Sequence, residues 1–257
     1  ECFLSMSKDT SSRGMIKSML IIGSAQFVKI LISIVRMKVL AVLLGPIGVG
    51  LLSIYNSLVG IVQQTSGLGI GSSGVRQIAS ARGDEETLSR VRRVLFAAHL
   101  IQGTLAMIAV WLLRERIAIW LFGDAVRGTE IGLIGVAILL GLLASAQTAL
   151  LQGLRQIGDL GRLTVIGAFV GTLAGLAAVW LQGERGLIWF ILVQPRAAVL
   201  IALHYTRCLP RPTAVGMSLF EAWDVWKPMV KLGMAFMLGG LATVAALLLV
   251  RGRISQD

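Results

Sequence analysis

Charged residues are scarce in this 257-residue chain, at 14% of the sequence against about 25% in an average soluble domain. Apolar residues make up 56%, and the mean hydropathy is +0.82. A soluble protein of this composition would have too few polar residues to cover its surface. The bilayer is therefore the predicted solvent, and each crossing needs about 20 mostly apolar helical residues.

Acidic residues are the rarer charge, with 13 Asp and Glu against 24 Lys and Arg. The net charge of +11 could indicate nucleic acid, but a nucleic-acid binder collects its basic residues on a soluble face. Here the basic residues lie between apolar runs, which is the pattern of membrane topology signals. We therefore expect no nucleic-acid partner.

Cysteine and histidine are nearly absent, with two of each. Cys2 and Cys208 lie far apart, and His99 and His204 are isolated, so no metal-ligand or redox spacing is present. The chain also lacks a nucleophile elbow and a phosphate loop. A membrane glycosyltransferase would need catalytic groups in a loop, and Asp124–Glu130 is better interpreted as a solvated connection. We expect no cofactor, no metal and no enzymatic activity.

Long apolar runs are what the sequence has instead, and they predict an all-α, polytopic transmembrane helix bundle. The predicted spans are 15–35, 39–64, 93–113, 131–151, 163–181, 187–206 and 229–250. The longest connections are Gly74–Arg92 and Cys208–Lys227, and neither could link two soluble domains. With the N-terminus in the cytoplasm, fourteen Lys and Arg lie inside and eight outside, which favours that orientation.

Polar residues recur on one face of each of the first two spans. The first face consists of Gln26, Lys29, Ser33 and Arg36, and the second of Ser53, Asn56, Ser57, Gly60, Gln63 and Gln64. The two faces either line a shared hydrated cavity or hold helices together through hydrogen bonds of about 1 kcal/mol each.

Lys29 favours the cavity, because it lies near the middle of its predicted span, where a charge costs on the order of 3 kcal/mol. Arg36 is expected near the helix end and could snorkel to the interface. Arg196 is a further basic candidate, or alternatively an interfacial anchor. No acidic residue falls within a predicted span. A basic interior without carboxylates suits an anionic passenger such as a diphosphate and does not suit a carboxylate proton relay.

Glycine and proline interrupt the predicted spans at defined points. These candidate breaks and hinges are Gly45, Pro46 and Gly48 near the start of the second span, Gly67, Gly69 and Gly71 after it, and Pro195 in the sixth. Broken helices occur at the binding sites of secondary transporters, although glycines also simply permit turns or close packing. Gly167, Gly171 and Gly175 recur every fourth residue, which favours helix packing.

Three stretches resemble the O-antigen flippases, in the polysaccharide-translocase branch of the multidrug/oligosaccharidyl-lipid/polysaccharide exporter superfamily. KVLAVLLGPIGVGLLSIYNSLVGIVQQTSGLGIGSSGVRQIA (38–79) resembles the family's second helix and following loop. LQGLRQIGDLGRLT (151–164) resembles the connection between the fourth and fifth helices, and KLGMAFMLGGLATVAALLLVR (231–251) the seventh helix.

The resemblance implies a two-lobe exporter of about twelve helices that flips undecaprenyl-diphosphate-linked oligosaccharide across the bacterial inner membrane. This chain would supply a polar tail (1–14), the first six-helix lobe (15–206), a cytoplasmic connection (207–228), and a seventh helix with a truncated end (229–257). Expected partners are the lipid-linked oligosaccharide, membrane lipids, and the polysaccharide polymerase and chain-length proteins. The chain is either a fragment or a truncated product, so a non-transporting remnant or scaffold and an exporter of another lipid-linked substrate remain alternatives.

Overall fold

The computed structural model describes residues 12–207 and 223–235, and all of the regular secondary structure in these two ranges is helical. The helices are α1 (Ser12–Ser66), α2 (Ile70–Ser80), α3 (Glu85–Leu112), α4 (Arg114–Phe122), α5 (Gly128–Gly153), α6 (Ile157–Gln182) and α7 (Gly186–Arg207), with a 3-10 turn at Gly183–Arg185 and a further helical segment at 223–235. The prediction of an all-α bundle is confirmed. Residues 1–11 of the predicted tail and most of the predicted seventh span lie outside the described residues, whereas residues 12–14 belong to α1.

Three helical stretches in the described part of the chain are long and apolar enough to cross a membrane: Glu85–Leu112, Gly128–Gly153 and Ile157–Thr206. The third comprises α6 and α7, joined through the 3-10 turn. Large apolar side chains on the outside of the bundle are widely exposed, for example Trp180 at 74% and Leu181 at 73%. Such side chains are stable in hydrocarbon and not in water, which agrees with a membrane protein.

The first two predicted spans form α1, whose helical conformation is interrupted at Gly45. The predicted boundary at 36–38 is therefore wrong, since the helix continues through Arg36 and Lys38. Gly45 has φ 67°, which favours glycine, and Pro46 follows it with the fixed φ that suits the first residue of a helix. We call residues 12–44 the first arm and residues 46–66 the second arm.

The two arms run in opposite directions. Along the first arm, Ile21 packs near Gly161 at the start of α6, and Arg36 lies beside Thr172 farther along α6. Along the second arm, Tyr55 contacts Glu130 at the start of α5. Gly67, twelve residues later, packs on Leu142 in the middle of α5. Because an ion pair between Arg127 and Glu184 places the end of α6 beside the start of α5, α5 and α6 are antiparallel, and so are the arms that follow them.

Two apolar clusters form most of the core. One joins both arms of α1 to α5 and α7, with Leu40, Tyr55, Ile138 and Leu187 among its fully buried members. The other joins α2, α3 and α5 to the segment 223–235 through residues that include Met229, also fully buried. The core therefore fixes the first arm against α6 and α7 and the second arm against α5.

Helix boundaries differ from the prediction mainly around residues 74–122. Most of the predicted connection Gly74–Arg92 is helical, because α2 continues to Ser80 and α3 begins at Glu85. Asp84 caps α3 by accepting hydrogen bonds from the backbone N–H groups of Glu86 and Thr87. The short helix α4 was not predicted at all.

Candidate substrate-binding site

A small cavity of about 50 Å³ lies between the first arm of α1, α6 and α7. Its lining combines two cations with hydroxyl and amide groups and contains no carboxylate: Lys29, Ile32, Ser33, Arg36, Ala168, Thr172 and Gln194. Three of these residues, Lys29, Ser33 and Arg36, belong to the polar face predicted on the first span. The structure therefore brings most of that face together with polar residues from two other helices.

Arg36 is the most restrained cation of this cavity. Its Nη1 donates to Gln194 Oε1 at 3.2 Å, its Nη2 donates to Ser33 Oγ at 3.4 Å, and its guanidinium carbon lies 5.5 Å from the centroid of the Phe190 ring. Its Nε is buried and has no hydrogen-bond partner among the described residues. Both Nη groups therefore have an acceptor, whereas the buried Nε has none in the described chain, which is costly for a buried donor.

Glycines in α6 create the close approach that positions the partners of Arg36. A side chain at Gly171 would contact Gln194, whose Cα would lie 3.3 Å from the added Cβ, and one at Gly175 would clash with the Phe190 ring. The predicted packing role is thus confirmed for these two glycines. Nothing lies within 4 Å of a Cβ at Gly167.

The two cations lie at different distances from the end of the first arm. Arg36 precedes the Gly45 turn by nine residues, which is about 13 Å of helix. Lys29 is exposed and lies about 24 Å along the helix from the same turn. The expectation that Arg36 lies near a helix end is wrong, because the helix ends at Gly45 and not at residue 36.

The polar face of the second arm lies elsewhere, on an open side of the described bundle. Asn56 and Gln64 are exposed, and the Gln63 amide rests against Gly141 of α5. None of the three lines the Arg36 cavity. The two predicted polar faces therefore do not meet in a single pocket within the described residues.

The remaining predicted substrate residues are exposed. Gln26 lies on the first arm but does not line the cavity. Arg196 lies on α7 two residues after Gln194 and does not line it either.

The predicted breaks divide into true turns and residues within helices. Gly45 and Gly69 have positive φ, of 67° and 65°, and Leu68 shares the left-handed conformation. Gly67 is the first residue of the turn after α1, whereas Gly71 belongs to α2. Gly48 is buried two residues after Pro46, and α7 continues as a helix through Pro195.

Glu130 corrects the interpretation of Asp124–Glu130 as a solvated loop. It lies in the first turn of α5, accepts a hydrogen bond from the hydroxyl of the fully buried Tyr55, and pairs with Arg127 at 3.4 Å. Arg127 also pairs with Glu184 at 3.6 Å, and its hydrogen bonding with Tyr55 is the main cause that raises the pKa of Arg127. This group ties the second arm, α5 and the α6–α7 turn together at one end of the bundle.

Sequence reasoning missed Gln194 and Thr172. Gln194 stands directly before Pro195 and Arg196 in an otherwise apolar run, so a polar residue beside a proline was the available signal. Thr172 was hidden within the glycine face of α6. Both residues matter only because α6 and α7 pack against the first arm.

A family profile described as polysaccharide biosynthesis protein matches residues 15–249, which is most of the chain. The chain belongs to the polysaccharide biosynthesis protein family. This membership agrees with the exporter superfamily that the sequence resembles, and members of the family are membrane transporters rather than enzymes. No curated protein matches the chain, and no solved structure matches it either.

Proposed function

We propose that this member of the polysaccharide biosynthesis family flips undecaprenyl-diphosphate-linked O-antigen repeat units across the bacterial inner membrane. The observation that carries the proposal is Arg36, a cation nine residues before the Gly45 turn whose buried Nε lacks an acceptor among the described residues. An anionic headgroup crossing the bilayer needs such a partner, because an uncompensated charge in hydrocarbon is costly.

The chemistry of the cavity matches a diphosphate. Arg36 and Lys29 supply positive charge, while Ser33 and Thr172 supply hydroxyl groups around it. A guanidinium provides donors in a fixed fork that suits phosphate oxygens, and charge-assisted hydrogen bonds of this kind are the strong ones. The cavity is too small for an oligosaccharide, so it would hold only part of the diphosphate while the lipid tail remains in the bilayer.

We propose that the N-terminus is cytoplasmic. Burial is the main cause that lowers the pKa of Arg82, in the α2–α3 turn. The charge of Arg155, which follows α5, lowers it further, so the two residues lie close together. They mark the end of the bundle opposite to Gly45. Basic residues collected at that end favour its cytoplasmic location by the positive-inside rule.

The test is replacement of Arg36 by Gln in cells whose surface O-antigen depends on this protein, followed by reconstitution in liposomes. Flipping is measured as exposure of a fluorescent lipid-linked oligosaccharide to a membrane-impermeant quencher. Loss of a charge-assisted hydrogen bond, worth about 1.5–3 kcal/mol, predicts about a ten- to hundredfold slower rate. Lys29→Gln should have a smaller effect, because Lys29 is exposed.

Arg116→Gln is the matched control, since Arg116 is an exposed arginine on α4 that does not line the cavity. It should leave flipping and surface O-antigen unchanged. Wild-type flipping by the Arg36→Gln protein at wild-type abundance would show that the cavity does not carry the headgroup.

A further inference from the structure

A second, larger cavity of about 170 Å³ opens between α2 and the last three turns of α5. Its first lining residue, Gly71, follows the Leu68–Gly69 turn directly in the chain. Its lining consists of small and polar residues from the two helices: Gly71, Ser72, Val75, Ser145, Thr148, Ala149 and Gln152. The function proposed above assigns no role to this cavity.

The lining offers neutral hydrogen-bonding groups and no ionisable side chain. Ser72 and Ser145 provide hydroxyls, and Gln152 provides an amide. The Thr148 hydroxyl donates to the carbonyl of Ala144 at 2.8 Å, so its oxygen is oriented to act as an acceptor. Such groups recognise a ligand that carries both donors and acceptors but no net charge.

The volume of the cavity limits the ligand to about one ring. A cavity of about 150 Å³ holds a single six-membered ring such as benzene, whereas drug-sized ligands occupy about 300–1,000 Å³. The apolar side chains of Val75 and Ala149 provide a surface for the face of a ring. The neighbouring hydroxyls then face its edge, where the substituents of a sugar ring lie.

The cavity continues the polar face of the second arm. The Gln63 amide rests against Gly141, which is one helical turn before Ser145 on the same side of α5. Exposed polar residues thus extend from Asn56 and Gln64 on the second arm to Ser145 at the mouth of the cavity. An oligosaccharide lying along this face would bring one of its rings to the cavity.

We propose that the α2–α5 cavity binds one uncharged sugar ring of the lipid-linked oligosaccharide. This inference rests on the proposed flipping function and adds where the saccharide, as distinct from the diphosphate, is recognised. Gly71 is required at the mouth, because a Cβ there would lie 3.1 Å from Ser145 Oγ and narrow the opening.

The test compares two probes on the full chain in lipid nanodiscs: undecaprenyl diphosphate bearing the oligosaccharide, and undecaprenyl diphosphate without sugar. Ser145→Leu places an apolar side chain in the cavity. Loss of about two hydrogen bonds predicts about tenfold weaker binding of the sugar-bearing lipid, with unchanged binding of the sugar-free lipid. Gly71→Ala, the milder change, should weaken the binding of the sugar-bearing lipid only, and by less than Ser145→Leu does.

Ser24→Leu is the matched control, because Ser24 is an exposed serine of the first arm that lines neither cavity. It should bind both probes as the wild type does. Arg36→Gln should weaken the binding of both probes. Unchanged binding by Arg36→Gln would count against the diphosphate site and not against the sugar site. The sugar site is overturned if Ser145→Leu and Gly71→Ala, both folded by circular dichroism, bind the sugar-bearing lipid with wild-type affinity, or if the wild type binds neither probe.

Discussion

Asp84 begins α3 at the point where the chain leaves the Arg82 end of the bundle. Its carboxylate accepts hydrogen bonds from the Thr87 hydroxyl at 2.6 Å and from the backbone N–H groups of Glu86 and Thr87 at 3.0 and 3.1 Å. These bonds, led by that of the Thr87 hydroxyl, lower the pKa of Asp84. The ionised carboxylate also suits the positive end of the helix dipole.

Asp84→Asn should make the contribution of this cap to the stability of the fold independent of pH. The pKa of Asp84 is lower in the folded protein than the unfolded value of about 3.9. Ionised Asp84 therefore stabilises the fold at pH values above about 3.9, and this stabilisation is lost as the pH falls through the folded pKa. The melting temperature of the wild type minus that of Asp84→Asn should be largest near neutral pH and shrink in acid. A difference in melting temperature that stays constant with pH would contradict the role of ionised Asp84 as the cap of α3.

Helical spacing predicted that Lys29, Ser33 and Arg36 share a face, and the structure places them around one cavity. Spacing could not identify Gln194, because the hydrogen bond to Arg36 joins residues 158 positions apart. It also could not reveal that Gln63 packs on Gly141 and faces away from that cavity. Local periodicity orients a side chain around its own helix, whereas its partner depends on how the helices pack.

At the scale of elements, α1 shows why a helix boundary cannot be read from charge. Arg36 and Lys38 indicated an end, but charged side chains do not disrupt backbone hydrogen bonds. A helix ends where the backbone leaves the helical conformation, and Gly45 followed by Pro46 provides that departure. By contrast, the predicted bounds of α5 and α7 are close, because each is a single apolar run bounded by polar residues or glycine. The end of α6 is also close, but α6 begins at Ile157, six residues before the predicted span.

Gly48→Ala should destabilise the Gly45 turn. The added Cβ would clash with the Leu44 side chain, which the turn brings against Gly48. We expect a loss of about 1–3 kcal/mol in the free energy of unfolding, measured by denaturant titration in detergent micelles.

Gly50→Ala is the matched control, two residues farther along the same arm. Nothing lies within 4 Å of a Cβ at Gly50, so alanine should be neutral or stabilising by about 0.5–1 kcal/mol. Equal effects of the two substitutions would show that the turn does not bring Leu44 and Gly48 together.

At the scale of the whole molecule, the segment 223–235 joins the bundle through a contact between backbones. A Cβ on Gly69 would collide with the backbone of Gly233, and one on Gly233 would collide with the carbonyl of Leu68. Met229 is fully buried beside this crossing, with Trp226 packed against the same cluster. The turn between α1 and α2 is therefore also the place where the chain after α7 returns to the bundle.

Gly233→Ala should force the two backbones apart and lower the free energy of unfolding by about 1–3 kcal/mol. Thermal unfolding in detergent micelles, followed by circular dichroism, measures the change. Gly167→Ala is the control, because Gly167 lies inside α6 with nothing within 4 Å of its Cβ. If both variants melt like the wild type, the close crossing of the two glycines is not present in solution.

The one-residue turn at Gly45 also has a consequence for biogenesis. Because the arms are antiparallel, they would enter the bilayer as a pair, with residues 39–52 at the leading tip. That tip contains no charged residue, so its passage through hydrocarbon is favourable, whereas Arg36 follows at a cost on the order of 3 kcal/mol. If the N-terminus stays in the cytoplasm, insertion of the apolar tip would bring the cations of the binding site into the membrane before α6 and α7 are inserted and can pack against them.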